Sequence, residues 1–246
     1  MTDATLDDAK QAVRERIWAR LEAAQAVPPD VHGRIPAFDG ADEAAERLAS
    51  LQCWQTARVV KVVPDKPQLP VRARALADGK LVYMAVPKLA ERQPFYLLDP
   101  NELTVPPAEA AVKETAARVG RHVGVTDMQP VDLVVTGCVV VNHAGVRLGK
   151  GAGYSDIEVA LLAEAGLLTD ETVIVTTVHD LQVVDEELPE TEHDFRVDYI
   201  VTPTRVIATP QRKRPYGLSW GSLSREKIDS IPVLAQMEAS RATTHE

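Results

Sequence analysis

The sequence predicts an α/β fold built on a mostly parallel sheet, in a single domain. Three observations carry that expectation. Short apolar, β-branched runs at 57–63, 81–86, 131–141, 172–178 and 197–202 read as strands. Segments of helical period fall between several of them, and that alternation is the signature of a parallel sheet with crossover helices. The run VDLVVTGCVVV, Val131 to Val141, is apolar almost throughout, as expected of a central strand covered on both faces.

In order along the chain, Asp7 to Ala26 reads as an amphipathic helix. Ala9, Val13, Ile17 and Leu21 recur every four residues, with Arg14, Arg16 and Arg20 mostly off that stripe. Pro28 and Pro29 stop it. Val31 to Gly40 is loop-like, and Asp42 to Cys53 is a second helix. Ala57 to Val63 is a strand, PDKPQLP a turn leading to a short helix ending at Ala77, Asp78-Gly79 a turn, and Leu81 to Val86 a strand. Pro94 to Pro107, with its prolines, reads as irregular, and Pro107 to Val119 as helix. After the 131–141 strand, Asn142 to Gly145 is a turn. Ser155 to Gly166 is a helix with Ser155 and Glu158 placed as a capping box. Thr172 to Val178 and Val197 to Thr202 are the last strands. The tail beyond Pro210 is less patterned; it carries Arg212, Lys213 and Arg214 and a short helix from Ser224, and is expected to lie on the surface.

The 246 residues suffice for one such domain, and no linker divides them. Aromatic residues make up only 4%, so Val, Leu, Ile and Ala must fill the core. A formal charge of -9 argues against general nucleic-acid binding and leaves room for a local pocket for a small anion. Cys53 and Cys138 lack metal-ligand spacing and read as reduced thiols, which suits a cytoplasmic setting. MTDATLDDAKQ has no signal-peptide character, and no apolar run reaches the length of a membrane span.

The most informative stretch is RLGKGAGYSDIE, Arg147 to Glu158, between a strong strand and a strong helix. Ligands of open α/β sheets lie beyond the carboxyl ends of the strands, where helix N-termini offer free N–H groups and partial positive charge. Gly149, Gly151 and Gly153 would let main-chain amides approach a phosphate, Arg147 and Lys150 would add cations, and Asp156 could hold magnesium. The spacing fits neither a dinucleotide fingerprint, where Tyr154 would have to be glycine, nor a P-loop, where Gly151 would have to be a hydroxyl residue. Taken alone, the stretch also fits a tight crossover turn with Asp156 facing the helix dipole.

RLGKGAGYSD, with the downstream EHDFRVDYIVTPTRVI and with Lys10, Val13 and Arg14 on the first helix, resembles the 5-formyltetrahydrofolate cyclo-ligase family, also called methenyltetrahydrofolate synthetase. The resemblance runs from about Ala9 to Ile207. VVPDKPQ, GKGAGYSDIE and VHDLQVVD look closest to the branch of methenyltetrahydrofolate synthetase domain-containing proteins. Some of those carry an RNA-recognition domain after this part, for which no room is expected here. The resemblance implies a three-layer α/β sandwich over residues 1–210, with 211–246 a C-terminal extension packed on it or trailing from it. It implies a cytoplasmic, ATP- and Mg-dependent ligase of one-carbon metabolism with a reduced folate as small-molecule substrate. In that family ATP phosphorylates the formyl oxygen of 5-formyltetrahydrofolate, the neighbouring nitrogen attacks the activated carbon, and ADP, phosphate and 5,10-methenyltetrahydrofolate result. Carried over, Lys10, Arg14, Arg147, Gly149, Lys150, Gly151, Gly153 and Tyr154 bind ATP, and Asp156 and Asp194 hold the metal. Ser155 and Ile157 depart from the family loop. Gln68 stands near the glutamate that meets the folate in the family. The alternative is a divergent member that binds nucleotide but takes another substrate, or serves as a non-enzymatic binding module.

Other constellations read more plainly. His179-Asp180 and His193-Asp194 are adjacent residues, which on a strand point to opposite faces, so neither forms a dyad. GLSWG, Gly217 to Gly221, matches a nucleophile elbow, but RKRPY precedes it instead of a strand, and only Asp229 and His245 follow as partners. Arg212 to Arg214 read as a solvated basic tail. Trp18, Trp54 and Trp220 read as packing residues.

Overall fold

The structure, a computed structural model, describes residues 3–210 and 212–244. The chain opens with α1 (Asp3–Ala23), α2 (Ala41–Ala49) and α3 (Gln52–Thr56). Then follow β1 (Val59–Val62), α4 (Leu69–Ala77), β2 (Leu81–Ala85), β3 (Phe95–Leu98), α5 (Pro107–Ala110), α6 (Lys113–Val119), β4 (Arg121–Val123) and β5 (Val131–Thr136). The second half holds β6 (Val140–Asn142), β7 (Arg147–Leu148), α7 (Tyr154–Glu164), β8 (Leu168–Thr177), β9 (Val183–Val184), β10 (Tyr199–Val201), β11 (Val206–Ala208), α8 (Arg225–Ser230) and α9 (Pro232–Thr244).

Eight strands form the main sheet in the order β11-β10-β8-β5-β1-β2-β3-β4. The five central strands are parallel, with Val60 beside Leu133 on one side and Val82 on the other. Antiparallel strands close both edges: β11 on β10, and β3 with β4 beyond β2. A second sheet of three short strands, β7-β6-β9, stands apart from it.

Side chains alternate along the central strands and so feed two separate cores. Val60, Val62, Leu133 and Val135 face one side, where Leu48 of α2, Leu76 of α4 and Ala116 of α6 cover them. Val59, Val134 and Ile174 face the other, packed with Leu161 and Leu162 of α7 and with Ile228, Ile231 and Leu234 of the C-terminal helices. Helices on both faces of a sheet make three layers, as expected. A third cluster buries Ile17, Trp18 and Leu21 of α1 against Val139, Val140 and Leu148 of the small sheet. The first helix is thereby anchored over the segment that carries the glycines.

Several local expectations are corrected. The 42–53 helix breaks at Ser50 and Leu51 into α2 and α3, and the 107–119 helix breaks at Ala111 and Val112 into α5 and α6. The stretch 94–107 is not wholly irregular: Phe95–Leu98 is a buried strand, paired to β2 by four antiparallel residue pairs. The apolar run 131–141 is two strands in two sheets. The break falls at Gly137, where an added Cβ would lie 2.7 Å from Gln68 Oε1 and 2.9 Å from Ile35 Cγ2. The chain turns there because only glycine fits the gap.

The expected capping box is also absent. Gly153, at φ +70°, is the N-cap of α7, and no side chain caps it. Glu158 instead points into the sheet, where it is ion-paired with Lys61 of β1, fully buried. Burial raises the Glu158 carboxyl above its ordinary value, and the Lys61 ammonium opposes that rise. The pair ties α7 to the centre of the sheet. Charges so placed cost desolvation, and removing one partner strands the other. Lys61→Met is therefore expected to destabilise the fold by about 3 kcal/mol, while Lys61→Met with Glu158→Leu recovers most of the loss. Urea denaturation of the three proteins measures both.

Candidate functional site

α7 begins with amide groups that have no helical acceptor, because the first four N–H groups of any helix lack one. With Gly153 at its N-cap, no side chain takes their place. Gly151, at φ +99°, and Gly153, at φ +70°, hold a backbone bend that disfavours side chains. The bend opens on a cavity of about 1070 Å³. Gly151, Gly153, Tyr154, Asp156 and Asp194 all line it.

Segments far apart in sequence converge here. Arg14, from α1, donates from Nε to the carbonyl of Gly149 at 2.7 Å and from NH1 to Gln11 at 3.2 Å. Its guanidinium also lies beside Gly151, 3.5 Å from where a Cβ would stand. Lys10, one turn earlier, donates to Asp194 Oδ2 at 2.8 Å. Arg147 is 3% exposed, stacks on the Phe195 ring at 3.7 Å, and is ion-paired with Asp156. Its Nε donor is buried and has no partner. Lys150 leaves the cavity wall and stands 3.5 Å from Asp65. Asp65 is held in turn by buried Arg72, which donates to the Val63 and Asp65 carbonyls. Burial lowers the Arg72 guanidinium to about 10, with Asp65 and Glu114 opposing.

The electrostatics are those of a site that neutralises itself. Burial would raise the Asp194 carboxyl, but hydrogen bonds from Lys10 and the Thr191 amide, with the nearby charge of Arg147, hold it below the ordinary range. Burial lowers Arg14, opposed by Asp7 and Asp194. Among the described residues Arg14 makes no ion pair. Asp156 and Asp194 face one cavity, although no set of three or more His, Cys, Asp or Glu among the described residues could hold a metal. Two carboxylates are enough for magnesium that keeps waters and binds phosphate oxygens as well.

Other predicted residues fall elsewhere. Gln68 is fully buried, donates to the Thr177 carbonyl and hydroxyl at 3.1 and 3.0 Å, and leaves Oε1 unpartnered. His179 accepts the Leu181 amide at 3.1 Å, a local turn contact. Asp180 takes Thr202 and Thr204. Ser219 of GLSWG meets His193 Nε2 at 3.5 Å, a contact that spacing alone could not show. Glu192 approaches that same nitrogen at 3.4 Å, so the imidazole cannot relay charge between its two sides. His245, the other sequence candidate for a partner, lies outside the described residues. The basic run is not a solvated tail: Arg214 is ion-paired with buried Asp198, and Lys213 reaches the Thr191 carbonyl at 2.6 Å. Sequence reading missed Lys227, which lines the same cavity, because nothing in SREKID marks its lysine as more than an exposed helix charge.

Comparison with known proteins gives one consistent result. The sequence profile of the 5-formyltetrahydrofolate cyclo-ligase family matches residues 7–203. A methenyltetrahydrofolate synthase domain-containing protein of Homo sapiens is 40% identical over 242 residues, covering 94% of this chain and 61% of the relative. Its counterpart in Mus musculus is 41% identical over 240 residues, covering 93% and 63%. The chain thus spans less than two thirds of the length of these relatives. The solved structure of a 5,10-methenyltetrahydrofolate synthetase from Aquifex aeolicus has the same fold, with a TM-score of 0.53 at 20% identity over 87% of this chain and 99% of that one. No helix among the described residues is long and apolar enough to cross a membrane.

The Lys10–Asp194 pair sets a pH dependence. Asp194 titrates lower in the folded chain than when unfolded, so its contribution is complete above the unfolded value of about 3.9 and fades as pH falls through the folded one. The wild type is expected to be more stable than Asp194→Asn at about pH 7, with the two converging below about pH 3. Chemical denaturation across that range measures the difference.

Proposed function

Because the chain belongs to the 5-formyltetrahydrofolate cyclo-ligase family, we propose that it catalyses the Mg-ATP-dependent closure of 5-formyltetrahydrofolate to 5,10-methenyltetrahydrofolate. The observation that carries this reading is the convergence of Lys10, Arg14 and Arg147 on the glycine bend at the start of α7. A polyphosphate needs free amides, fixed cations and one or two hard carboxylates, and these are the groups that meet there.

The residues act by placement. The amides after Gly153 and the Arg147 guanidinium receive phosphoryl oxygens, while Arg14 braces the bend through Gly149. Asp156 and Asp194 would hold magnesium, which supplies charge shielding at the phosphates. With Asp156 and Asp194 engaged there, Arg147 and Lys10, their present partners, would be free to donate to phosphate oxygens. The formyl oxygen attacks the terminal phosphorus and ADP departs. The second folate nitrogen then attacks the formyl carbon and gives up its proton to solvent, and phosphate leaves with that oxygen. Alignment and electrostatic stabilisation supply the rate.

A second reading is favoured by Gln68. The residue standing near the family's folate-binding glutamate is neutral and fully buried. That environment suits a divergent member that binds nucleotide but accepts another small molecule.

Purified protein with ATP, magnesium and 5-formyltetrahydrofolate is expected to form the methenyl product, read by its near-ultraviolet absorbance. Nucleotide binding without product would select the divergent reading. Asp156→Asn keeps an acceptor for Arg147 but loses the charge that holds the metal. It is expected to weaken Mg-ATP binding by about tenfold or more, roughly 1.4 kcal/mol. Metal-free tripolyphosphate should bind this variant at least as well as the wild type, because Arg147 then faces a neutral acceptor instead of a competing carboxylate. Calorimetric titration distinguishes the two effects.

A further inference from the structure

The family profile ends at residue 203, yet the cavity has a wall built from residues beyond it. Gly221, Ser224, Glu226 and Lys227 line it together with Gly151, Gly153 and Asp156. This segment is held firmly. Ile228, Ile231 and Leu234 are part of the main core. Arg212 and Arg214 pair with Asp198, and Ser224 caps α8 by accepting the Lys227 amide at 3.1 Å. The wall is therefore a fixed part of the site.

Among the described residues, Lys227 is the one cation on that wall. Its ammonium donates to the carbonyl of Ala152, inside the glycine bend, at 2.7 Å, and stands 4.1 Å from the centre of the Tyr154 ring. It makes no ion pair among the described residues. Burial lowers its pKa, with Glu226 opposing. A carbonyl and a ring face use little of what three ammonium donors can give. An anion resting on the α7 amides would lie within the reach of such a group.

We infer that Lys227, carried by the C-terminal segment outside the family domain, is a ligand-binding residue that donates to the phosphate chain of the bound polyphosphate. The inference rests on the nucleotide reading proposed above. In the free protein the Ala152 carbonyl and the Tyr154 ring hold the ammonium in position. When the ligand enters, a phosphate oxygen takes one of the remaining donors. The C-terminal segment thus adds to the groups that α1 supplies, and the polyphosphate is gripped by cations from both ends of the chain.

The test uses the full chain as wild type, Lys227→Met and Lys227→Arg. Dissociation constants are measured for Mg-ATP and for tripolyphosphate, with melting temperatures recorded alongside. Lys227→Met is expected to bind both ligands about tenfold more weakly, with little change in melting temperature, and Lys227→Arg to restore most of the affinity. In the wild type, acylation of Lys227 by an amine reagent should slow when tripolyphosphate is bound. Wild-type binding with undiminished affinity in Lys227→Met would overturn the inference and leave the nucleotide reading intact. A wild type that binds neither ligand would overturn both.

Discussion

The site depends on one buried cation. Arg147 sits at the end of β7 with almost no exposure, stacked on Phe195 and paired with Asp156. A guanidinium out of water must be neutralised or the fold opens. That demand fixes three segments at once: the small sheet, the first turn of α7, and the turn carrying Asp194 and Phe195. The Arg147 Nε has no partner, and an unmet buried donor costs about 1–3 kcal/mol. Such a cost is tolerated where charge has to be in place before a ligand arrives, which is the logic of electrostatic preorganisation.

Around this cation the chain is joined by contacts of very long sequence separation. Lys10 and Asp194 belong to opposite ends of the family domain, and Arg14 reaches Gly149 across 135 residues. Asp198 does the same for the C-terminal segment. It accepts the Ile174 amide at 2.8 Å inside the sheet and takes Arg214 from outside. An overall acidic chain thus spends its scarce clustered cations on internal latches and on one cavity, which is why net charge alone said little about them.

Much of the architecture was legible because periodicity reports which face is buried. The helical stripe Val13, Ile17, Leu21 and the β-branched runs of β1, β5 and β8 each carry that information locally. The glycine bend and its flanking cations stood out for a different reason, since a bare crossover turn rarely needs three glycines and two cations together. What escaped was decided at a distance. Phe95–Leu98 becomes a strand because β2 offers an edge, although the prolines around it argue for loop. Val131 to Val141 reads as one strand until Gly137 meets Gln68 and Ile35. Ser155 and Glu158 have the spacing of a capping box, but the buried Lys61 claims Glu158 for the core. A pattern within four residues cannot compete with an ion pair formed across 97.

The same reasoning separates the two halves of the proposed reaction. The phosphate half is built from charges that remain adaptable: Asp156 and Asp194 hold cations they can exchange, and Arg14 and Lys227 hold only neutral groups. The position that should meet the folate is closed. The Gln68 amide nitrogen donates to the Thr177 carbonyl and hydroxyl, and its oxygen lies 2.7 Å from where a Gly137 Cβ would stand. A ligand could use that amide only if buried groups around it moved aside, giving up burial as they did so. On the proposed reading, the phosphates would meet groups already facing the cavity, whereas recognition of the second substrate through Gln68 would carry the cost of opening the core.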